Sequence, residues 1–267
     1  MKNVILTILF GFLFAESSAI QDTLKKISSI QGDIVDFTVD NLGFVYVLNS
    51  NNQLKKLGIN GDSIGVFNNV RQYGKVEMID ATNPLRILLY YRDFGNVVTL
   101  DRFLNMRNTI NLKKLNFFQV RAISQAYDNG IWIYDEQEAR LKHLKEDGGL
   151  MGQSSDFRQV MEAAPSPVRI IDQDRLVYLY DPEKGLFVFD YFGTLKNKVA
   201  LLGWEDFQFV NGKAFGRKAG IIQQYEPGTL SLKEQALPAI LTGIVKIKIS
   251  PRYLYCLGTN VINVYAL

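Results

Sequence analysis

The chain has 267 residues, of which 47% are hydrophobic and 21% are charged, so it can bury a sizeable core and is not disordered, collagen-like or a coiled coil. Thirty basic and 27 acidic side chains give a formal net charge of +3, a balance that does not indicate a binder of nucleic acid or a polybasic membrane binder.

The first 19 residues have the pattern of a secretory signal peptide. Lys2 supplies a positive start, residues 4–14 form an apolar run, and Ser17-Ser18-Ala19 places small residues where a signal peptidase cuts. A membrane anchor needs about 20 apolar residues, and Glu16 interrupts this run. We therefore expect export to the periplasm and a mature chain, residues 20–267, without a membrane span.

Tyrosines recur at a fixed interval inside similar apolar segments. Tyr46, Tyr90, Tyr134 and Tyr178 are each 44 residues apart and lie in runs rich in β-branched and aromatic residues, which are typical of strands. Two weaker copies follow, around Phe215 and Tyr255, at intervals of 37 and 40 residues. Such self-similarity indicates a repeat architecture.

Each copy belongs to a unit of four predicted strands. A first strand ends in turn residues, the tyrosine strand follows, and a third apolar run leads through a tight turn to a fourth strand. The segments 101–105 and 190–194 carry the same type of turn and are 89 residues apart, which is about two repeats. The predicted first strands are residues 35–39, 76–79, 121–124, 168–171, 207–210 and 244–249.

Six such units predict an all-β, six-bladed β-propeller with four-stranded antiparallel blades. The last unit ends after three strands, and residues 23–30 at the start of the mature chain have no partner of their own. We therefore expect the N-terminal strand to complete the last blade and close a single domain. A β-sandwich or two small β-domains is the rival, disfavoured by the even period and the absence of a linker.

Three further features are read from single positions. Cap-like Ser and Asp residues before Phe157 predict one short helix over residues 156–163. Cys256 is the one cysteine of the chain and is expected to be a small buried hydrophobe, so no intramolecular disulfide can form. His143 is the one histidine, and its alternating polar strand predicts a solvated position rather than a catalytic base.

The exported chain resembles the NHL and YVTN-type periplasmic propellers. The likeness rests on the signal peptide, blades of about 42 residues without a Trp-Asp dipeptide, and turns such as Asp128-Asn129-Gly130. In size it is also similar to the plug subunit of the type IX secretion translocon. That resemblance implies protein transport, with a protein partner in an outer-membrane channel or secretion complex whose periplasmic mouth the propeller would block.

No catalytic, metal or cofactor motif stands out, so we expect a non-enzymatic protein without a cofactor. One His and one Cys cannot build a metal cluster, and the glycines follow no strand-to-helix phosphate pattern. One alternative is a calcium-dependent, lactonase-like hydrolase, whose channel carboxylates and amides would come from Asp36, Asp80, Asp172 and Asn211. A glycan-binding propeller with aromatic platforms in a cleft is the other.

The remaining candidate is a protein-binding surface. Loops that join second to third strands, and one blade to the next, emerge on one face of a propeller. Aromatic anchors rimmed by charge are typical of protein interfaces, although for each aromatic taken singly, packing in a gap between blades is the favoured interpretation. A second interface candidate is the long segment 149–167. The predicted partner-binding residues are Tyr73, Arg92, Asp93, Phe117, Phe118, Asp135, Glu136, Leu150, Met151, Trp204 and Arg217.

Overall fold

The computed structural model describes residues 24–267, and the predicted signal peptide lies outside them. The strands form six four-stranded antiparallel sheets, each built from consecutive strands except the one that joins the chain ends. Blade one is β2 (Asp36–Val39), β3 (Val45–Leu48), β4 (Leu54–Leu57) and β5 (Ser63–Phe67). Blade two is β6 (Met78–Asn83), β7 (Arg86–Tyr91), β8 (Asn96–Asp101) and β9 (Met106–Asn111). Blade three is β10 (Val120–Gln125), β11 (Ile131–Asp135), β12 (Arg140–Leu144) and β13 (Leu150–Gln153).

The second half of the ring follows the same plan. Blade four is β14 (Arg169–Gln173), β15 (Leu176–Asp181), β16 (Gly185–Asp190) and β17 (Leu195–Val199). Blade five is β18 (Glu205–Val210), β19 (Lys213–Lys218), β20 (Ile221–Glu226) and β21 (Ser231–Ala236). Blade six is β22 (Lys246–Ile249), β23 (Tyr253–Leu257) and β24 (Val261–Ala266), completed by β1 (Lys26–Gln31). The predicted six-bladed all-β propeller is confirmed.

The ring closes through the N-terminal strand, as predicted. β1 pairs antiparallel with β24, with Ile30 opposite Ile262 and Gln31 opposite Val261. Ile30 and Ile262 are both buried in one cluster with residues of blade one, so closure adds apolar packing as well as ladder hydrogen bonds. The fourth strand of blade six therefore comes from the other end of the chain, and no third strand is left as an open edge there.

Burial follows strand position within a blade. Second and third strands are largely buried in blades one to four, as in β7, where all six residues are buried, because each blade packs between two others. In blade five, β19 and β20 are mostly half-buried. Fourth strands are exposed at the rim; β17 has four exposed residues and one half-buried residue. The segments 101–105 and 190–194 are the turns between third and fourth strands. In each, an aspartate accepts backbone hydrogen bonds two and four residues on: Asp101 from Phe103 and Asn105, and Asp190 from Phe192 and Thr194.

Tyrosine hydroxyls join neighbouring blades. Those of Tyr90, Tyr134 and Tyr180 donate to the carbonyls of Val120, Pro165 and Trp204, at 2.9, 2.6 and 3.1 Å. Each carbonyl lies at or just before the first strand of the next blade. All four tyrosines of the 44-residue repeat lie in second strands, but Tyr178 packs on Phe209 with ring centroids 4.4 Å apart. Tyr180 is therefore the structural counterpart of Tyr90 and Tyr134.

The remaining sequence predictions have mixed outcomes. The predicted helix is confirmed as the shorter α2 (Phe157–Val160), whose cap Asp156 accepts from the Arg158 amide, while α1 (Val70–Tyr73) was not predicted.

Cys256 is buried, and burial raises the pKa of its thiol to about 12. The solvated position expected for His143 is wrong, since the residue is 8% exposed. Within residues 24–267, no helix is long and apolar enough to cross a membrane.

Candidate functional site

The six first strands surround a central channel with two mouths. Because consecutive strands are antiparallel, loops that join second to third strands and loops between blades emerge on one side, which we call the first face. Loops that join first to second and third to fourth strands emerge on the other side, the second face. A cavity of about 370 Å³ opens on the first face and one of about 540 Å³ on the second. We call these openings the first and second mouths.

The carboxylates of the second mouth are used to join blades. Asp80 accepts a hydrogen bond from the Gln125 amide of blade three at 2.8 Å. Asp172 accepts three, from the Tyr127 amide at 3.1 Å, the Trp132 indole at 2.9 Å and the Tyr191 hydroxyl at 2.6 Å. A carboxylate whose oxygens are occupied by several donors of the protein, most of them from the adjacent blade, has a structural role.

The residues proposed for calcium are separated in the structure. Asp36 forms an ion pair with Lys246 near the first mouth, whereas Asp80, Asp172 and Asn211 line the second. Asn211 is a turn residue with φ of 51°. Among residues 24–267, no group of three His, Cys, Asp or Glu side chains is arranged to hold a metal ion.

His143 lies in a packed aromatic cluster. Its ring stacks on Trp132 with centroids 4.2 Å apart, and its Nε2 lies 3.2 Å from Oδ1 of Asp128. Tyr191 contacts Trp132 from blade four and stacks on Tyr127, whose side chain is largely exposed at the second mouth. These contacts explain why an alternating polar strand pattern failed to predict burial: the polar atoms are paired and the ring fills a gap between blades.

Three of the predicted partner-binding residues are buried, so the expectation that they are displayed is wrong. Tyr73 is 4% exposed, and its hydroxyl lies 3.2 Å from the Thr109 hydroxyl. Asp135 forms a buried ion pair with Lys142 at 2.7 Å. Trp204 covers Gly216 closely: a Cβ on that glycine would lie 2.3 Å from the indole. Tyr73 and Trp204 fill space between blades, and Asp135 is engaged within blade three.

The two predicted arginines are half-buried and bind within the protein. Arg92 pairs with Glu77 at 2.9 Å and donates to the Arg121 carbonyl at 3.0 Å. Arg217 pairs with Glu205 and Asp206 at 2.8 and 3.1 Å and donates to two carbonyls of the loop before blade six. Their charges are therefore largely satisfied before any partner is present.

The other predicted residues divide between the first face and the rim. Asp93, Glu136 and Phe118 are exposed in first-face loops, with Phe118 56% exposed. Phe117 is half-buried under the Lys142 ammonium, 4.8 Å from its ring centroid. Leu150 and Met151 are about half exposed, but they lie on β13 at the outer edge of blade three rather than in a loop. Their roles in partner binding stay predictions.

The sequence reasoning missed Phe94. It follows Asp93 in the loop between β7 and β8 and is 55% exposed on the first face. Its ring rests against Gly74, where a Cβ would come within 2.8 Å, and its carbonyl accepts from the Asn111 amide. An aromatic residue at the tip of a polar loop was the available signal. Phe94 and Phe118 are the two exposed phenylalanines of the first face within residues 24–267.

Comparison with known proteins identifies the fold. No protein-family model and no curated protein matches the chain. Virginiamycin B lyase from Staphylococcus aureus, in a catalytically inactive form with quinupristin, superposes with a TM-score of 0.64 at 9% identity, over 90% of this chain and 99% of that one. The WD40 domain of Neurospora crassa Pan2 superposes with a TM-score of 0.65 at 9% sequence identity, over 91% of this chain and 94% of that one. A streptogramin B lyase superposes with a TM-score of 0.60 at 13% sequence identity, over 91% of this chain and 86% of that one.

The protein thus belongs, by fold, to the β-propellers. At these identities the likeness extends to architecture alone, because one propeller scaffold carries many unrelated functions. Its function has to be argued from its own faces and channel.

Proposed function

We propose that this protein is a non-enzymatic, exported propeller that binds a protein partner through its first face. The observation that carries the proposal is the exposed pair Phe94 and Phe118. Exposed charged groups at Asp93 and Glu136 lie in loops of the same face. Aromatic anchors supply desolvation energy in protein interfaces, and a charged rim sets register and partner choice.

The surroundings of Phe94 suit a rigid anchor. The side chain of Lys113 donates to the Asp93 carbonyl, and the Asn111 amide donates to the Phe94 carbonyl at 3.2 Å, so the loop tip is held from the neighbouring strand and loop. A preordered anchor loses little conformational entropy on binding, which favours affinity.

Two observations favour binding over catalysis. Two of the channel carboxylates that a hydrolase would use accept hydrogen bonds from a neighbouring blade, Asp80 from the Gln125 amide and Asp172 from the Trp132 indole. His143 is stacked on Trp132 and its Nε2 contacts Asp128. A general base needs a ring nitrogen within reach of a substrate proton, and at 8% exposure His143 offers little access.

The leader sequence supports a periplasmic location, and the resemblance to the translocon plug subunit supports a partner at the outer membrane. We propose a channel or secretion-complex protein as that partner, with the propeller as an accessory or plug subunit. Export is tested by fractionating cells and sequencing the N-terminus of the mature protein, which should begin after Ala19. A cytoplasmic protein that retains residues 1–19 would contradict this part of the proposal.

The interface is tested with two matched double variants. Phe94→Ala with Phe118→Ala alters the first face, and Phe103→Ala with Phe192→Ala removes two phenylalanines that are 52% and 87% exposed on the second face. Each tagged protein is purified from detergent-solubilised envelopes, and co-eluting proteins are quantified by mass spectrometry. We expect a stoichiometric outer-membrane partner with the wild type and the second-face variant, and at least a tenfold loss with the first-face variant, as for hot-spot aromatics.

Three results would contradict the proposal. The propeller could elute without a partner, the two variants could lose the partner equally, or the second-face variant alone could lose it. The last result would move the interface to the second face. Circular dichroism and unfolding midpoints of both variants serve as controls, since exposed positions should change stability by about 0.5 kcal/mol or less.

A further inference from the structure

The first mouth of the channel is rich in cationic side chains. The cavity of about 370 Å³ is lined by five of them and by three acidic ones. The cations come from blades two, three, four and six and so converge on the channel from different sides. The lining cations are Arg92, Arg121, Arg169, Lys246 and Lys248.

The acidic residues of this mouth are already paired. Glu77 binds Arg92 at 2.9 Å. Glu205 and Asp206 both bind Arg217, at 2.8 and 3.1 Å. Asp36, beside the mouth, forms an ion pair with Lys246. The internal acids are therefore engaged by Arg92, Lys246 and Arg217, and three cations of the lining are left without an ion pair. Four acids against six cations, Arg217 included, give this mouth a net charge of +2.

These three are Arg121, Arg169 and Lys248. Within residues 24–267, their side chains make no ion pair and no hydrogen bond to a protein group. Lys248 is the decisive one, because it is 8% exposed and lines the cavities of both mouths, so it lies deep in the channel. A lysine buried to this degree without a partner is costly. Burial, reinforced by the nearby charges of Lys246 and Arg169, lowers its pKa well below the usual lysine value.

We propose that the first mouth is a binding site for a small polyanion, whose oxyanion groups are held by Arg121, Arg169 and Lys248. Guanidinium groups bind carboxylate or phosphate oxygens in pairs, and the ammonium adds a point charge. The cavity volume is within the usual range for small-molecule sites. Bound oxyanions supply the counter-charge that the fold withholds from Lys248. This site is independent of the proposed protein partner.

The test is isothermal titration of the complete mature chain, with pyrophosphate as the phosphate probe and citrate as the carboxylate probe. We expect saturable binding of at least one probe at one site per chain. Lys248→Met should weaken it at least tenfold, since charged hydrogen bonds contribute about that much or more. Lys233→Met, at an exposed position on the outer strand of blade five, is the matched control and should leave affinity unchanged.

Thermal unfolding gives a second measurement, in which Lys248→Met should raise the midpoint of the free protein but reduce the shift that the probe produces. Without an anion, Lys248→Met should raise the unfolding midpoint, because it removes an uncompensated buried charge. A probe at a hundredfold excess over the wild-type Kd should raise the midpoint of the wild type by roughly 5 °C, and the same concentration should raise that of the variant by about half as much or less. If Lys248→Met does not fold, Arg169→Gln replaces it, with the same expected loss of affinity.

The outcomes separate the sources of the anion. Tighter binding of pyrophosphate assigns a phosphorylated ligand, and tighter binding of citrate assigns a carboxylate. Both support the site. The proposed site would be overturned if neither probe binds at millimolar concentration. It would also be overturned if binding survives both Lys248→Met and Arg169→Gln. Loss of the protein partner in the envelope purification would not affect this result.

Discussion

The junctions between blades two and five differ from the junction of blades five and six. At the junctions between blades two and five, the hydroxyls of Tyr90, Tyr134 and Tyr180 donate to carbonyls of the next blade. Charged groups act beside them, as Arg92 does when it donates to the Arg121 carbonyl. Within residues 24–267, the junction of blades five and six has no such tyrosine link and is joined by charge. The junction of blades six and one has both kinds of link, because the Tyr255 hydroxyl also donates to the Gly43 carbonyl at 3.2 Å. Arg217 of blade five donates to two carbonyls before blade six, and Lys246 of blade six pairs with Asp36 of blade one.

The apolar core explains this difference. Between blades two and four, one continuous cluster buries large rings, including Trp132, Phe157 and Phe187. Around blade six, a separate and smaller cluster contains Leu241, Ile247 and Cys256. Where burial of large side chains already stabilises the junction, a neutral hydrogen bond is enough to fix its geometry. At the junction of blades five and six, where packing is thinner, the charged Arg217 makes the link instead.

Arg217→Met should have the largest effect, because it removes the charged link between blades five and six. Asp206 would be left at 10% side-chain exposure without its cation. We expect a loss of about 3–5 kcal/mol in the free energy of unfolding, as for other broken buried pairs, measured by urea unfolding. Lys218→Met, at the exposed neighbouring position, is the control. Equal effects of the two variants would show that charge does not hold this junction.

Alkaline pH should weaken the junctions that the tyrosine hydroxyls link. Burial raises the pKa of Tyr90 and of Tyr180 to about 12. Unfolded tyrosines lose their protons near pH 10, so the stability contributed by these two is complete below pH 10 and lost as pH rises through about 12. Between about pH 9 and about pH 11 they should together remove about 3 kcal/mol of unfolding free energy.

The control for this titration is the double variant Tyr90→Phe with Tyr180→Phe. Its stability should fall by about 3 kcal/mol less than that of the wild type over the same pH interval. Lys248 has a lowered pKa, so its contribution rises with pH toward the unfolded lysine value, and it is common to both proteins. Parallel pH curves for the two proteins would contradict the assignment to the tyrosine links.

Gly216→Ala should disturb the packing between blades four and five. The added Cβ would lie 2.3 Å from the indole of Trp204, which fills the space between blades four and five. Overpacking of this kind destabilises by about 2 kcal/mol. Gly228→Ala is the matched control, because nothing lies within 4 Å of its Cβ position. Urea midpoints that shift equally in both variants would mean that Trp204 moves aside without cost.

Tyr134→Phe should have the smallest effect. It leaves the ring in place and removes one hydrogen bond, at 2.6 Å, to the Pro165 carbonyl. The expected loss is about 1 kcal/mol and should not depend on salt, unlike the loss from Arg217→Met. Tyr253→Phe provides the comparison, since the Tyr253 hydroxyl has no hydrogen-bond partner within residues 24–267. A salt-dependent loss at Tyr134 would contradict a neutral link.

Prediction from sequence succeeded for the repeat and failed for exposure. The period of the tyrosine segments indicated six blades, and the unpaired segments at the two ends indicated how the ring closes; β1 and β24 confirm it. Whether a loop side chain is exposed to solvent was harder to predict than the blade to which it belongs. Trp204 and Tyr73 lie in loops of the first face, yet both are buried between blades. A loop position determines the face from which a residue emerges, whereas neighbours from other blades determine whether its ring turns inward.

The sequence by itself determined the number of blades, their strands and their turns, because strand alternation and turn chemistry are local properties. Only the tertiary structure decided which charges remain available. Asp172 appears in the sequence as a candidate ligand, but it is occupied by donors from blades three and four. Lys248 appears as an ordinary strand lysine, but it is buried without a counter-ion. Both outcomes depend on neighbours that are distant in sequence, such as Tyr127 and Trp132 for Asp172, and that meet only when the blades pack.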